Sequence, residues 1–484
     1  MGSNTELKGK AIRGFIWKFA EKGGTQFISV VVQIVLARIL SPNDYGLIGY
    51  LTIFLMVSDV FIQQGFTTAL IQKKNADDTD NSSVFFANIM MSLTLYGILF
   101  FAAPYIAKFY REPSLTLITR VLSLNIIIGS TSAVHNALLS KKLEFKKSFI
   151  RSLSNIFVYG TVGIVLALKG FGVWALVLGK IAGQCVGTIT LWVTVKWHPK
   201  RLLSFERLKN LFNYSSKVLG TNLLSTIFNN INVLIIGRIY NTADVAFYQR
   251  GQSIPQLIMT TFDGSFSEVL YPTFSLLQND SSKVKSALRR SVRLSMYICC
   301  PLMIGLYVIA EPLTLVLLTE KWLSSVPFLK LTCIICLFWP LNIRIHALNA
   351  LGESALSFKM SIFDKVLVII SLVICSRYSV LMILYGNIIV NVLEFFVFSI
   401  IMKKKIGYSL FETLQDILPS LLIAVVMGIL INLVKYLSLP AIVTLVVQIL
   451  LGIIIEVLLS WVFKIDNFYY VLSILKNFLK GKSN

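Results

Sequence analysis

Charge is scarce in this chain. Of 484 residues only 14% are Asp, Glu, Lys or Arg, against 56% hydrophobic. A soluble domain carries about 25% charged residues, so a string of water-soluble cores is excluded: too little polar surface would remain to cover them. Acidic residues are scarcer still, 23 against 45 basic ones. Histidine occurs three times, at His135, His198 and His346. None has metal-ligand spacing, and each is expected to be packed or at an interface. The six cysteines, Cys185, Cys299, Cys300, Cys333, Cys336 and Cys375, all lie in or beside apolar runs. They imply no disulfide framework, and the C-x-x-C of Cys333 and Cys336 reads as packing, because redox and metal sites need a polar, accessible setting. No G-x-x-x-x-G-K-[ST] loop is present, so the chain carries no ATP engine of its own. No cofactor and no metal are expected. Met1 to Lys10 is polar and lacks the basic, apolar, small-residue order of a cleaved leader, so insertion through the chain's own helices is expected.

What is abundant is long apolar sequence. A membrane-crossing helix needs about 20 apolar residues. About fourteen such runs occur, centred near residues 28, 56, 95, 127, 160, 182, 226, 260, 304, 336, 369, 391, 427 and 451. Their continuity argues for helices and against a barrel, whose strands alternate every second residue. With the amino terminus placed inside, alternate loops collect about three times as many Lys and Arg as the loops between them. The Lys141, Lys142, Lys146, Lys147, Arg151 group and the stretch from Lys196 to Lys217 are examples. Basic residues concentrate in cytoplasmic loops. The net charge of +22 therefore reflects topology and contact with anionic membrane lipids rather than nucleic acid. Both termini are expected in the cytoplasm.

A short polar break follows the first run: Ala37-Arg38-Ile39-Leu40-Ser41-Pro42-Asn43-Asp44-Tyr45-Gly46-Leu47. It has an echo 200 positions on. Arg38, Ile39 and Asp44 match Arg238, Ile239 and Asp244 without a gap, and Phe66 matches Phe266. The echo reads as an internal duplication with both halves in the same orientation. The expected fold is thus all-α and polytopic, with about 14 transmembrane helices. Residues 1–195 form a six-helix lobe, 196–217 a cytoplasmic linker and 218–402 a second six-helix lobe. Residues 403–484 add two helices and a basic interfacial tail. Phe205 to Phe212 reads as a short amphipathic helix on the membrane surface.

Charges at membrane depth are costly and face a bundle interior or a water cavity. Lys18, Arg120, Lys180 and Arg344 are candidates for a cationic cavity, with Lys180 least able to snorkel. Helix pairing or snorkelling is the competing reading for each. Asp59, Asp263, Glu268 and Glu394 are candidates for ion coupling, against a helix-to-helix hydrogen bond; Glu456 is open to the same two readings. The polar side chains of runs two, seven and eight, including Gln63, Asn229 and Asn230, read as cavity lining, because hydrocarbon cannot satisfy them. Arg38, Asp44, Arg238 and Asp244 read as structural anchors of the two turns or as a gate between lobes.

The turn Ala-Arg-x-Leu-x-Pro-x-Asp-Tyr-Gly-Leu of Ala37 to Leu47, with Gln63-Gln64-Gly65-Phe66 after it, resembles the polysaccharide flippases of the Wzx type. These belong to the multidrug, oligosaccharidyl-lipid and polysaccharide exporter superfamily. The resemblance implies two six-helix lobes cycling between inward- and outward-open states. It also implies a cationic cavity for an undecaprenyl-pyrophosphate-linked oligosaccharide, and residence in the inner membrane of a bacterium. The expected partners are that lipid-linked substrate and the glycan polymerase and glycosyltransferases of its pathway. The expected role is a transporter for surface polysaccharide or lipopolysaccharide synthesis, not an enzyme. A cation antiporter of the same superfamily would favour an acidic cavity, whereas intramembrane cations here are at least as numerous as acids. A membrane-embedded glycan polymerase or ligase would need a large outer loop, and the longest loop is inside. A lipid-II-type flippase of cell-wall synthesis fits the turn less well.

Overall fold

The computed structural model describes residues 23–278 and 280–479. Helices are α1 (Gly23–Ile39), α2 (Pro42–Gln64), α3 (Phe66–Gln72), α4 (Asp78–Tyr110), α5 (Leu115–Leu122) and α6 (Leu124–Lys142). Next come α7 (Phe145–Leu168), α8 (Val173–Thr194), α9 (Phe205–Ile239), α10 (Thr242–Leu276), α11 (Ser281–Leu318) and α12 (Val326–Cys336). The chain closes with α13 (Ile343–Ala350), α14 (Ser354–Cys375), α15 (Val380–Ile406), α16 (Leu410–Asn432), α17 (Ala441–Val462) and α18 (Asp466–Leu479). There is no strand among the described residues. Among the described residues eleven segments are long and apolar enough to cross a membrane. The three remaining expected centres, near 28, 260 and 369, fall in α1, α10 and α14. The protein is an all-α, multi-pass membrane protein.

Two expectations change. The predicted short helix at 205–212 is the first two turns of α9, which runs unbroken from Phe205 to Ile239. No proline interrupts it, and Ser204 caps its start by accepting the Arg207 N–H. The run near 336 is broken instead of continuous. A 3₁₀ turn at Trp339–Asn342 separates α12 from α13, because Pro340 cannot donate into an α-helical ladder.

By contact the chain divides into two compact units, Met1–Ala246 and Phe247–Asn484. Helix α9 lies along α2 and also touches α3 and α4. By contact α9 thus falls within the first unit.

In the first unit the tightest pair is α7 with α8. Gly179, Gly183 and Gly187 repeat every fourth residue and so line one stripe of α8. A Cβ on Gly183 would lie 2.7 Å from the Asn155 carbonyl oxygen, and one on Gly179 would lie 3.2 Å from the Gly163 Cα. In lipid no hydrophobic force draws helices together, so close backbone approach at small residues supplies the attraction. Residues 195–204, between α8 and α9, form a strap onto α4. Asp77 and Asp80 cap α4 reciprocally at 2.9 and 3.2 Å. Lys73 reaches the buried Asp80 at 2.7 Å and Arg207 reaches Asp77 at 2.5 Å. Ser82 and Ser83 accept the backbone N–H groups of Lys200 and Ser204. His135 lies 3.2 Å from the Trp197 carbonyl oxygen and packs on the Trp192 ring.

In the second unit α11 is the hub, packed on α12, α16 and α17. Its core gathers Leu288, Val292, Met296 and Cys300 with Phe398, Met402 and Tyr408. One end is tied by a buried carboxylate. Asp416 accepts from Arg289 at 2.8 and 2.9 Å, from Arg293 at 2.6 Å and from the Tyr408 hydroxyl at 3.0 Å. Both guanidinium groups satisfy a charge that would otherwise be too costly to bury.

Candidate functional site

The two echoing turns are built alike. The Ser41 N–H donates to Asp44 at 2.9 Å and the Asp44 N–H donates back to the Ser41 hydroxyl at 3.3 Å. At the second turn the Asp244 N–H donates to the Asn241 side chain at 2.9 Å and the Asn241 N–H to Asp244 at 3.5 Å. These are capping boxes, each starting a helix with an acid in its first turn. Asp44 and Asp244 are thus held by the backbone. Arg38 and Arg238 are exposed, and Arg238 lies over the Phe109 ring at 5.2 Å.

Within the first unit this turn end is closed by contact without intervening side chains. Gly46 sits so near Thr242 that a Cβ there would lie 1.9 Å from the Thr242 carbonyl oxygen. Tyr50 and Tyr110 stack at 4.3 Å with planes 7° apart, and Gly237 lies against both rings. The Tyr50 hydroxyl donates to Thr242 at 3.3 Å. The sequence reading missed the two tyrosines. Gly46 and its contact Thr242 both belong to the two echoing turns that the sequence singles out, as does Gly237.

Below this closure lie the charges. Gly172, just before α8, sits beside Asp44 near the start of α2, its Cβ position 3.0 Å from an Asp44 carboxylate oxygen. Counting from there at 1.5 Å per residue, Lys180 is about 12 Å down α8 and Asp59 about 22 Å down α2. The two differ by about 10 Å in depth. Both side chains are exposed, and each is the charge that acts on the other. They form no direct ion pair. Gln63 lies one turn beyond Asp59 and Gln184 one turn beyond Lys180, on the same helix faces. The Asn155 amide donates to Gln184 at 3.4 Å. Gln184 was not anticipated, although its spacing from Lys180 is the helical period. Asn229 on α9 is exposed, while the Asn230 amide is turned back to the Thr226 carbonyl at 2.8 Å.

The other candidates are placed differently. Arg120 is half-buried against α4, its guanidinium 4.3 Å above the Phe100 ring and its Nε donating to the Phe100 carbonyl at 3.3 Å. Arg344 is buried, 4% exposed. It staples the break at Pro340: its Nε donates to the Leu341 carbonyl at 2.9 Å, and Phe395 and Phe398 cover it at 5.4 and 5.1 Å. Glu394 is half-buried beside it on α15, within the field of Arg344, Asp364 and Lys365. Lys18 lies outside the described residues, as do the side chains of Asp263 and Glu268. Among the described residues no three His, Cys, Asp or Glu gather as metal ligands.

Residues 35–327, more than half of the chain, match the family described as polysaccharide biosynthesis protein. The chain belongs to this family. Similar proteins occur in several bacteria. The succinoglycan biosynthesis transport protein ExoT of Rhizobium meliloti is 27% identical over 348 residues, 71% of this chain and 69% of that protein. The teichuronic acid biosynthesis protein TuaB of Bacillus subtilis is 24% identical over 83% of this chain and 84% of its own. The lipopolysaccharide biosynthesis protein WzxC of Escherichia coli is 22% identical over 87% and 88%. Among solved structures, the lipid II flippase MurJ in an inward closed conformation superposes with a TM-score of 0.74 at 16% identity, covering 94% of this chain and 99% of that one. An inward-facing multidrug MATE transporter of the MOP superfamily gives 0.59 at 14% identity, covering 78% and 95%. These likenesses show that the chain has a MurJ-like fold.

Proposed function

We propose that the protein is a flippase that carries an undecaprenyl-pyrophosphate-linked oligosaccharide across the bacterial inner membrane for surface polysaccharide or lipopolysaccharide synthesis. The observation that carries the reading is Lys180. It is an exposed ammonium at membrane depth with no carboxylate in contact, on a face shared with hydrogen-bonding side chains. A lysine in that position costs roughly 2.5–3.5 kcal/mol on insertion, and a pyrophosphate offsets the cost by pairing with it. Gln63, Gln184 and Asn229 supply hydrogen bonds for sugars that leave water, and the prenyl tail stays in the bilayer. The names of the relatives, a succinoglycan biosynthesis transport protein and teichuronic acid and lipopolysaccharide biosynthesis proteins, support the substrate class. In this reading residues 1–195 and 218–402 are the two lobes, joined by the 196–217 linker. The basic loops and both termini are cytoplasmic, and the Gly46–Thr242 closure is an outer gate shut in this state. Asp59, close enough to sense Lys180, is the candidate for ion coupling, with Asp263, Glu268 and Glu394 as further candidates. The polymerase and glycosyltransferases of the pathway act on either side of the step. The protein itself makes and breaks no covalent bond.

The test is Lys180→Ala in cells that depend on this protein for surface glycan. Surface glycan falls at least tenfold while membrane-inserted protein stays at the wild-type level. Unchanged glycan at normal expression removes Lys180 from the substrate path.

A further inference from the structure

The second unit contains a cavity of about 580 Å³ bounded by α11, α12 and α16, within the range of small-molecule sites. Its walls are apolar: Ile304, Val308, Ile334, Leu337 and Val425 line it. Its polar groups are confined to one end, where Lys330, Asn432 and Lys435 meet Tyr307. On α16 the lining runs from Leu421 to Asn432, about 16 Å of helix. It is a slot with a cationic mouth and a greasy floor.

The mouth is short of negative charge. Lys435 is held to Glu311 only loosely, at 3.9 Å. Lys330 lies 5.5 Å from the Tyr307 ring centroid and is repelled by Lys435. Two ammonium groups thus face one carboxylate. We propose that this slot is a binding site for an anionic phospholipid of the surrounding bilayer, its phosphate between Lys330 and Lys435 and one acyl chain along the floor. Moving an acyl chain from lipid into an apolar slot gains little, because both settings are equally apolar. Selection therefore falls on the head group, where each lysine near an anionic lipid favours it roughly fivefold. The slot is separate from the Lys180 face, and the proposal does not depend on the flippase reading.

The ligand chemistry, a phosphate head on an apolar chain, is shared with a polyprenyl phosphate. The experiment is native mass spectrometry of the purified full-length protein after exchange into mixed micelles. The added lipid is phosphatidylglycerol, phosphatidylcholine or undecaprenyl phosphate. Wild-type protein retains phosphatidylglycerol at least tenfold over phosphatidylcholine, and K330Q/K435Q loses that preference. E311Q, which removes the competing carboxylate, retains phosphatidylglycerol more strongly than wild type; it keeps the test decisive if the double variant fails to fold. Equal retention of the two phospholipids by wild-type protein overturns the proposal, as does a preference unaffected by K330Q/K435Q and E311Q. Retention of undecaprenyl phosphate in place of phosphatidylglycerol, lost in K330Q/K435Q, overturns the phospholipid assignment and gives the slot to a polyprenyl chain.

Discussion

Gly46→Ala tests the closed turn end with a single methyl group. The new Cβ would stand 1.9 Å from the Thr242 carbonyl oxygen and 2.6 Å from its carbon and its Cγ2. Two of those atoms are backbone, so no side-chain rotation relieves the clash. The α9–α10 turn has to retreat by roughly 1.5 Å to reach van der Waals contact. Overpacking of this kind costs about 1–3 kcal/mol. The retreat also breaks the 3.3 Å hydrogen bond from Tyr50 to Thr242, worth about 0.5–1.5 kcal/mol. Against this, Ala favours a helix over Gly by about 1 kcal/mol. The net is about 0.5–3.5 kcal/mol against the closed state, or roughly a twofold to 400-fold shift toward opening. Hydrogen–deuterium exchange of the protein in nanodiscs reads it directly. Peptides covering residues 42–52 and 236–248 exchange faster in the variant by that factor, while peptides from α7 and α8 do not change. Exchange at wild-type rates in a folded variant would refute the closure, since the methyl group would then have found room without opening the contact.

Other consequences are checked more simply. Asp416→Asn leaves Arg289 and Arg293 without their shared buried carboxylate, and breaking such a cluster costs about 3–5 kcal/mol; a large drop in detergent melting temperature is expected, against little change for the exposed Asp466→Asn. The Asp77 carboxyl is held down to about 2 by the Arg207 guanidinium hydrogen-bonded to it. Its contribution is therefore complete above about pH 4 and is lost as pH falls toward 2. Fluorescence of Trp197, whose indole N–H donates to Asp78 in the same strap, is expected to stay constant down to pH 4 and to shift only below it; Arg207→Gln moves that shift upward. Gly183→Leu separates α7 from α8 and lowers membrane-inserted protein, whereas Gly97→Leu, at a glycine with open space around it, is tolerated. Maleimide in detergent modifies Cys185 and Cys375 before the buried Cys299, Cys300, Cys333 and Cys336.

The membrane helices were legible because their signal is long and local: each apolar run carries its own length. The caps were legible for the same reason, since Ser41 and Asp44 are three residues apart and solve their geometry within one turn. The continuity of α9 was not, because basic and apolar stretches of one helix look like separate elements when only composition is read. The roles of the arginines were not legible either. The place of Arg344 depends on the helix break at Pro340, four residues before it, and on Phe395 and Phe398 from another helix, none of which hydropathy records. Asp416 was passed over since its partners lie more than 120 positions back. Lys180 stays a candidate because depth alone singles it out, a signal that the apolar run around it carries locally.

The glycine stripe of α8 has a consequence for Lys180. Two helices in backbone contact through notches every fourth residue behave like a rack and its teeth. Sliding by a fraction of a turn drives Cβ atoms into backbone, and the next seat is a whole step of four residues, about 6 Å away. The height of Lys180 relative to α7 is therefore set in discrete positions, so a cycle that changes access must carry α7 and α8 together, cation included, as one piece.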